Sequence, residues 1–539
     1  MKKEKIEVLV IGAGPSGCIG SAYLQSKNID VLVVEKAKFP RPVVGESLIP
    51  RVMDHLDEIG IIPALISEGF EKKWGARFLR GKNECVFNFS QKYGEGWDWT
   101  WQVPRADFDD VVAKEVQKQG VRIDFQSEVI NVEFNKNGDS ITTVRDLDGE
   151  ETEIEAKFII DSSGYGRVLP RLLNLEKPSS HANHSSIFTH IEDVNRSSQE
   201  RGSLISFDIL ETEVWLWVIP FSNGKTSIGI VGPSEFIDKL SETGNTTEAM
   251  NTAIGLSEFY KERFEGLPFI FKPLLLKNYS RSVKQMYGKG YALTGNSSEF
   301  IDPVFSSGVA FATESGMLSA KLIARQLRGE SVDWEKDYAG YMKRGINVFS
   351  TYVKEWYTGN LQTVFFHEPA NQDIKHQICA VLAGYVWDET NPFVRKHTNV
   401  IKNIAHTIMM NNMLLTDFYH QEKFRAIDKN NFEVHIRINK KHDIFNGHFP
   451  GKPITPGVCM IQIIKNICTE IIGKPIVLDK SKYIKFTAII NPEVNPDLIL
   501  MIQFVESNDE TFRVKCEVYF EDTLALKLSS EYSILTNRA

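Results

Sequence analysis

Apolar runs that end in glycine or charged residues alternate with amphipathic stretches over roughly the first two thirds of the chain. The runs include VLVIGAG, VLVVEK, FIIDSSG and TSIGIVG. Each has the length and composition of a buried strand. This alternation extends to about residue 345 and predicts an α/β nucleotide-binding fold with an inserted β-sheet substrate layer.

The pattern changes twice further along the chain. Residues 346–420 are helical in pattern and rich in aromatic side chains, which predicts a helical extension. Residues 421–539 read as a strand, a loop with a long helix, and several alternating strands, which predicts a separate α+β unit. We interpret the charged stretch 420–431 as the linker. A length of 539 residues agrees with a division into 1–345, 346–420 and 421–539, since one hydrophobic core rarely supports so long a chain.

Composition narrows the class of protein. A formal charge of −8 argues against nucleic-acid binding, which requires a basic face. The six cysteines show no CxxC spacing, so we expect no zinc site and reduced thiols in a cytoplasmic enzyme. The charged start followed by a short apolar run and a glycine turn predicts a strand, and we expect no signal peptide there. With no apolar run of about 18 residues, no transmembrane segment is expected.

A glycine-rich turn follows the first predicted strand. Gly12, Gly14 and Gly17 lie between the strand EVLVI and the helical stretch CIGSAYLQS. Glycines in this spacing allow a tight turn, close approach to a pyrophosphate and close helix packing. Glu35 closes the next strand, where a carboxylate accepts hydrogen bonds from a ribose and disfavours a 2′-phosphate. The sequence therefore predicts a dinucleotide site.

Three later segments resemble aromatic-hydroxylase-type flavoproteins, and this resemblance implies FAD rather than NAD. They are VPRADFD at 103–109, FIIDSSG at 158–164 and YALTGNSSEFIDPVFSSG at 291–308. The residues that the resemblance assigns to the cofactor are Arg105, Asp161, Gly164, Gly295 and Asn296. Asn296 is a departure, because many of these hydroxylases have an aspartate there.

Four segments resemble flavin-dependent halogenases. They are WLWVIP at 215–220 (WxWxIP), FIDPVFSSG at 300–308 (FxxPxxSxG), GESLIP at 45–50 and GFEKKWGARF at 69–78. The resemblance places the 300–308 loop beside the flavin, where its amides form a halide site, and assigns Lys73 as the catalytic lysine. The loop residues so assigned are Pro303, Ser306, Ser307 and Gly308.

The chemistry that this resemblance implies explains the lysine. Reduced FAD and oxygen give a flavin C4a-hydroperoxide, chloride or bromide attacks it, and hypohalous acid leaves the flavin. A lysine ammonium directs that oxidant at an electron-rich carbon, and partial burial would lower its pKa. Two simpler interpretations stay open. Lys72 and Lys73 can be solvated surface charges, and Trp215 and Trp217 can be core residues on one face of a strand. No acidic general base can be assigned from the sequence.

The C-terminal region carries a different motif. NGHFPGKPITPGV at 446–458 closely resembles the GHFPGxPxxPGV segment of 3-hydroxyacyl-carrier-protein dehydratases, which implies a hotdog fold that is usually dimeric. In those enzymes a histidine takes the Cα proton and a carboxylate on the next helix assists loss of the hydroxyl. His448 fits the first role, but Gln462 stands at the second and cannot transfer a proton in the same way. An active hydratase or dehydratase and an acyl-thioester-binding or dimerisation module both remain open.

Together these observations favour an FAD-dependent oxidoreductase. The leading hypothesis is halogenation of an electron-rich aryl or polyketide-like substrate on an acyl carrier protein, with chloride or bromide as co-substrate and reduced FAD from a separate flavin reductase. A homodimer through the hotdog unit is expected by resemblance. One alternative is a monooxygenase, reductase or desaturase of the same fold without halide chemistry. Another is a carrier-protein-binding scaffold with vestigial catalysis.

Overall fold

The computed structural model describes residues 2–179, 183–367, 371–413, 417–448, 451–474, 476–507 and 511–534. Contacts between residues divide the chain into two compact units, Met1–Asn403 and Ile404–Ala539.

The strands of the first unit are β1 (Lys2–Ile11), β2 (Val31–Glu35), β3 (Glu71–Lys73), β4 (Gly75–Arg80), β5 (Asn83–Asn88), β6 (Thr100–Gln102), β7 (Arg122–Phe125), β8 (Glu128–Phe134), β9 (Ser140–Arg145), β10 (Glu151–Asp161), β11 (Glu176–Lys177), β12 (His184–Glu192), β13 (Ile205–Glu211), β14 (Val214–Pro220), β15 (Lys225–Pro233), β16 (Leu274–Leu276), β17 (Ser282–Val283), β18 (Tyr287–Gly288) and β19 (Tyr291–Leu293). Its helices are α1 (Pro15–Ser26), α2 (Arg51–Glu58), α3 (Ile62–Ser67), α4 (Arg105–Lys118), α5 (Val168–Leu172), α6 (Ser234–Leu240), α7 (Thr246–Leu256), α8 (Lys261–Phe264), α9 (Ser307–Leu327), α10 (Tyr341–Tyr357), α11 (Asn360–Phe365), α12 (Gln372–Leu382) and α13 (Pro392–Arg395). Helix α14 (His397–Met413) contains the boundary between the units.

The nucleotide-binding sheet has the order β18-β19-β10-β1-β2-β7, with β9 and β8 added beside β10. Its central pairs, β10 with β1, β1 with β2 and β2 with β7, are parallel. Strand β2 is buried throughout, as its unbroken apolar sequence requires. The carboxyl ends of β1, β10 and β19 meet at one edge, and ligands of open parallel sheets bind at such an edge.

The second sheet has the order β16-β12-β15-β14-β13-β4-β5 and is antiparallel except for the β13–β4 pair. A short antiparallel ribbon of β3 and β6 stands apart from it. This is the inserted β-sheet layer that the sequence predicts.

The sequence predicts a helical extension at 346–420. Its residues up to Asn403 belong to the first unit. Trp356, near the end of α10, is fully buried, and its ring centroid lies 5.4 Å from that of Phe78 on β4. Phe365 of α11 packs against the same two rings. Aromatic side chains of this region, Trp356 and Phe365, thus pack against the inserted β-sheet layer.

The second unit consists of β20 (Tyr419–Ala426), β21 (Asn431–Ile438), α15 (Ile444–Gly447), α16 (Gly457–Ile472), β22 (Ile476–Phe486), β23 (Asp497–Ser507), β24 (Thr511–Phe520) and β25 (Thr523–Ile534). The strands form an antiparallel sheet in the order β20-β21-β23-β24-β25-β22. Helix α16 packs on it through Met460, Ile463, Ile464 and Ile467. A long helix against a six-stranded sheet, counted over the described residues, confirms the predicted hotdog-like α+β unit.

The assignment of residues 420–431 as a linker is wrong. They form β20 and its turn into β21, which pair in antiparallel register. The strand lies at the edge of the sheet and its side chains are exposed. Charges protect such an edge against pairing with other chains, so the charge marks an edge strand here and not a linker.

Within the ranges that the model describes, no helix has the length and apolar character needed to cross a membrane.

Candidate active site

The first glycine turn lies between β1 and α1. Gly12 has a φ of +100°, and its N–H donates to the Val34 carbonyl at 2.8 Å. A Cβ on Gly17 would lie 2.0 Å from the Gly12 carbonyl oxygen, so α1 can start against the turn only because residue 17 has no side chain. Gly14 is the N-cap of α1 and no side chain caps the helix. The first N–H groups of α1 and the helix dipole therefore favour an anion at this point.

Glu35 ends β2 and faces the same turn. Its carboxylate is buried and accepts N–H bonds from Ala13 at 2.9 Å and from Ala37 at 2.8 Å. A carboxylate has about four acceptor positions, so capacity remains for ribose hydroxyls. Arg41 was not predicted. Its guanidinium lies 3.8 Å from the position of a Cβ on Gly14, which places a cation beside the open helix end.

The two later cofactor segments meet next to the first turn. Asp161, the last residue of β10, pairs with Ile11 in register. Its backbone carbonyl accepts the N–H of Thr294 at 2.9 Å, so the segment entering Gly295 lies directly beside it. Gly295 has a φ of +54° and its N–H donates to Ser315 of α9 at 2.9 Å. The fold thus brings together residues 12, 161 and 295.

The side chains of Asp161 and Arg105 make protein contacts. The Asp161 carboxylate accepts the N–H groups of Ser163 at 2.9 Å and Leu169 at 2.7 Å, and burial raises its pKa. It shapes the turn that contains Gly164. Arg105 pairs with Asp109 through two bonds of 2.9 and 3.0 Å. A third bond, to the Val44 carbonyl at 3.0 Å, fixes the chain next to Gly45. Contact of either side chain with a cofactor stays a prediction.

Asn296 lies half-buried in the turn after Gly295. Its carbonyl accepts a bond from Arg167 at 3.1 Å. Because this bond is made to the backbone, it does not depend on whether residue 296 carries an amide or a carboxylate.

The loop 300–308 ends in an open helix terminus. Asp302 caps a 3₁₀ turn over Pro303–Phe305 by accepting the N–H of Val304 at 2.9 Å. Ser306 is in the left-handed region, with a φ of 55°, and starts α9 without capping it through its side chain. The leading N–H groups of α9, from Ser307 and Gly308 onwards, are therefore available to an anion.

Asp302 lies in a buried network that sequence reasoning missed. Its carboxylate accepts hydrogen bonds from Tyr357 at 3.1 Å and from Tyr279 at 3.3 Å. Trp215 donates to the same Tyr357 oxygen at 3.2 Å. Burial raises the pKa of Asp302 to about 7. Asp302 lies inside the 300–308 motif, but nothing in the sequence indicates Tyr357 as its partner.

The interpretation of Trp215 and Trp217 as core residues on one face of a strand is confirmed. Trp215 and Trp217 are buried on one face of β14, with ring centroids 6.2 Å apart. A Cβ on Gly229 of the neighbouring strand would lie 2.3 Å from the Trp217 ring. Through Trp215 and Tyr357 the motif is also linked to the 300–308 loop.

Lys73 is buried. It ends β3, is 2% exposed and donates to the Leu48 carbonyl at 2.7 Å. Burial lowers its pKa from 10.5 to about 7. Lys72 is exposed, with its ammonium 4.6 Å from the centroid of the Trp99 ring. The description of a solvated surface charge therefore fits Lys72 and not Lys73.

Leu48 belongs to the GESLIP segment, so Lys73 and that segment are in direct contact. Glu46 of the same segment is buried, and its carboxylate lies 2.7 Å from His190 Nε2 on β12. Nothing in the sequence indicates this contact between Glu46 and His190, because the two residues are 144 positions apart.

His448 lies in the second unit, at the end of α15. Its N–H donates to the Ile444 carbonyl at 3.1 Å, and its carbonyl accepts the N–H of Ile454 at 3.1 Å. Phe449 and Pro450 of the motif lie outside the described residues. Gln462 is half-buried on α16 and donates to Asn466 at 2.9 Å.

A family model described as FAD binding domain matches residues 5–334, more than half of the chain. The chain belongs to this FAD-binding family. A second model, described as ApeI dehydratase, matches residues 423–523, which agrees with the dehydratase-like motif of the second unit.

Relatives agree with this membership. A 1H-pyrrole-2-carbonyl-[peptidyl-carrier protein] chlorinase of Pseudomonas fluorescens is 28% identical over 399 residues, 68% of this chain and 87% of the relative. A crystal structure of a flavoprotein/dehydrogenase from Cytophaga hutchinsonii is 47% identical, with a TM-score of 0.74, and the match covers 76% of this chain and all of that one. A flavin-dependent brominase structure is 23% identical, with a TM-score of 0.66, and covers 75% of this chain and 98% of its own. This last match shows the shared fold.

The predictions of an FAD-binding fold and of FAD as the cofactor are confirmed. The site also fits the cofactor physically. Two uncapped helix termini, at Gly14 and Ser306, offer N–H groups to anionic or electron-rich atoms. Residue 17 must be a glycine, because a Cβ there would clash with the Gly12 carbonyl oxygen. The Glu35 carboxylate can still accept hydrogen bonds from a ribose.

Proposed function

We propose that this FAD-dependent enzyme is a halogenase acting on an electron-rich aryl or polyketide-like acyl group carried by an acyl carrier protein. The observation that carries the proposal is Lys73, a buried ammonium bonded to the GESLIP segment at Leu48. The chlorinase from Pseudomonas fluorescens, whose name specifies a carrier-bound pyrrole-2-carbonyl substrate, supports it.

Residues of the first unit hold the cofactor in this proposal. The helix end behind Gly12, Gly14 and Gly17 binds the pyrophosphate, and Glu35 accepts the ribose hydroxyls. The turns at Gly164 and at Gly295–Asn296 complete the cofactor cleft, and Asp161 and Arg105 fix the backbone around it. Pro303, Ser306, Ser307 and Gly308 present the α9 terminus to the halide and the flavin. When bound and reduced, FAD supplies the activation of dioxygen that converts chloride or bromide to an electrophilic oxidant.

Lys73 holds and directs that oxidant. Its burial removes the hydration that an exposed ammonium has, and the pKa of about 7 makes both charge states accessible near neutral pH. The charged form donates a hydrogen bond to the oxidant, and the neutral form offers a nitrogen lone pair. One N–H bond fixed on Leu48 orients the amine for either role.

The second unit serves the substrate. A hotdog-like unit that recognises an acyl thioester raises the local concentration of carrier-bound substrate for the first unit. Because Gln462 stands where a carboxylate is expected, we assign this unit to binding and dimerisation, with His448 as a contact to the thioester. The same proposal includes a homodimer, a separate flavin reductase that supplies reduced FAD, and a cytoplasmic location. It also includes the division of the chain into 1–345, 346–420 and 421–539.

A single-turnover experiment tests the function. Protein carrying reduced FAD is mixed with oxygen and a carrier-bound pyrrole-2-carbonyl thioester, with and without bromide. The product is read by mass spectrometry of the carrier protein. We expect a brominated acyl group that requires bromide, and its loss in Lys73→Met but not in the matched neighbour Lys72→Met. Bromination that is equal in wild type and Lys73→Met refutes the role of the lysine.

A second candidate is a flavin oxidoreductase without halide chemistry. The 47% identical structure described as a flavoprotein/dehydrogenase favours it, because that match is stronger than the match to the chlorinase. Oxidation of reduced FAD at a rate independent of bromide, with no bromine incorporated into monochlorodimedone added as a trap, would support this candidate.

A further inference from the structure

Asp302 is a buried carboxyl group whose hydrogen-bond donors are all neutral. It is 3% exposed. It accepts hydrogen bonds from the Val304 N–H at 2.9 Å and from the hydroxyls of Tyr357 at 3.1 Å and Tyr279 at 3.3 Å. Within the described part of the chain, no cation is among the groups that shift its pKa. Because neutral donors alone stabilise its negative charge, another charge close by decides whether this carboxyl group holds a proton.

The same carboxyl group holds the turn that precedes α9. Asp302 caps the 3₁₀ turn Pro303–Phe305, and α9 starts directly after it. Ser306, between the turn and the helix, has a φ of 55°, a left-handed conformation that persists only where the surroundings fix it. The bond from Val304 to Asp302 is one of the contacts that fix this turn. The carboxyl group is therefore tied to the backbone that leads into the first N–H groups of α9, where the proposed function places the halide.

A halide ion at the start of α9 and an ionised Asp302 repel each other. The leading N–H groups and the dipole of α9 favour a negative charge near this terminus. Phe305 and Ser307, on either side of Ser306, are both buried, so solvent screens charges there only weakly. At an effective dielectric constant of about 20, two like unit charges about 10 Å apart weaken each other's binding roughly tenfold. A proton on Asp302 removes this repulsion.

The other groups around Asp302 differ in whether they titrate near neutral pH. Burial and, after it, the charge of Asp302 raise the pKa values of Tyr279 and Tyr357 well above their usual range. Burial raises the pKa of Asp302 itself to about 7. His184 stacks on the Tyr357 ring with the centroids 4.1 Å apart, and histidine is a residue type that titrates in this range. An experiment therefore has to separate Asp302 from His184. The ionisable groups that act on the tyrosines from further out are Tyr165, Arg281, Arg105 and Glu213.

We propose that the halide ion binds at the start of α9 together with a proton that Asp302 takes up. This inference rests on the proposed function, because that function places the halide there. In the binding step one O–H bond forms between the Asp302 carboxylate and a proton from solvent, and nothing is oxidised or reduced. Because a bound proton raises the affinity for halide, bound halide raises the affinity of Asp302 for the proton by the same factor. The affinity for halide therefore falls as the pH rises through about 7.

Bromide titration of the protein carrying oxidised FAD tests this linkage. The absorbance spectrum of the bound flavin reports bromide binding at constant ionic strength. In wild type we expect the affinity for bromide to be roughly tenfold lower at about pH 8.5 than at about pH 5.5. Asp302→Asn keeps the shape of the side chain but removes its charge, so this variant should bind bromide at both pH values as tightly as wild type does at the lower one. If Asp302 only held the turn in place, Asp302→Asn would instead bind more weakly at both pH values, which overturns the proposal.

Asp208 supplies the matched control. Its carboxyl group is equally buried, at 3% exposed, and burial raises its pKa as well. It lies on β13 and accepts a hydrogen bond from Ser257, away from the turn before α9. Asp208→Asn should leave the affinity for bromide and its pH dependence unchanged. His184→Gln should keep the pH dependence; a dependence that is lost in His184→Gln and survives in Asp302→Asn overturns the proposal.

Proton uptake gives a second and direct measurement. Bromide is added to weakly buffered protein with a pH indicator, just above pH 7. Wild type should take up a fraction of a proton for each bromide bound, and Asp302→Asn none. Bromide binding without proton uptake overturns the inference and leaves the proposed function intact. Proton-linked binding without bromination of the carrier-bound acyl group supports the inference while the proposed function fails, and absence of bromide binding at every pH overturns both.

Discussion

Replacing Lys73 by methionine should make the protein more stable. A lysine pKa of about 7 in place of 10.5 means that burial costs the ammonium about 5 kcal/mol, at about 1.4 kcal/mol per pH unit. The unfolded chain is free of this cost. Methionine keeps most of the apolar volume of the side chain but leaves the Leu48 carbonyl without its donor, which costs about 1–3 kcal/mol. We expect a net gain of about 3 kcal/mol at pH 7.

The difference in stability between wild type and Lys73→Met depends on pH. Because the folded pKa is lowered, the unfolded chain binds more protons than the folded protein between pH 7 and 10.5. Wild-type stability therefore rises with pH across that window relative to the variant. The advantage of Lys73→Met is greatest below pH 7, where the ammonium is charged in both states. It falls by about 1.4 kcal/mol per pH unit above pH 7 and reaches zero at about pH 9, where the remaining cost of the ammonium equals that of the unpaired Leu48 carbonyl.

Urea unfolding followed by tryptophan fluorescence measures this difference, because all nine tryptophans precede residue 404. Lys72→Met is the matched control. Its side chain is exposed, so its free energy of unfolding should stay within about 0.5 kcal/mol of wild type. A Lys73→Met protein that is less stable than wild type, or whose advantage does not depend on pH, would refute a buried ammonium at this position.

Three further variants test other parts of the structure. Gly17→Ala should weaken FAD binding at least tenfold, because its Cβ would lie 2.0 Å from the Gly12 carbonyl; fluorescence titration with FAD measures this, and unchanged affinity contradicts it. Asp302→Asn should be more stable than wild type at pH 8 but not at pH 4, by up to about 4 kcal/mol, because a folded pKa raised from 3.8 to about 7 makes wild-type stability fall as pH rises through that window. Urea unfolding at both pH values measures it, and equal differences would be evidence against it. Gln462→Glu should raise dehydration of a 3-hydroxyacyl thioester by at least tenfold, followed by absorbance of the enoyl product; no gain would argue that His448 is not positioned for the reaction.

The sequence predicts those features that depend on the backbone conformation of a few neighbouring residues. A turn that needs a positive φ at Gly12 and no side chain at Gly17 restricts the residue types at those positions, and so the nucleotide-binding element is predicted with its residues. The dehydratase-like motif and the long apolar helix of the second unit are local in the same sense. The prediction of a linker at 420–431 is wrong because charged residues are typical of both a solvated linker and an exposed edge strand.

Burial and partnership were decided by the tertiary structure. Lys72 and Lys73 are adjacent and chemically identical, and only pairing with β6 and contact with Leu48 bury one of them. Asp302 meets Tyr357 and, through it, Trp215, which lies 142 positions away from that tyrosine. The sequence by itself determined the cofactor class and the local turns, since these depend on residues a few positions apart. The fold decided which side chains lose water and which distant groups they meet, because desolvation and hydrogen bonding depend on neighbours in space.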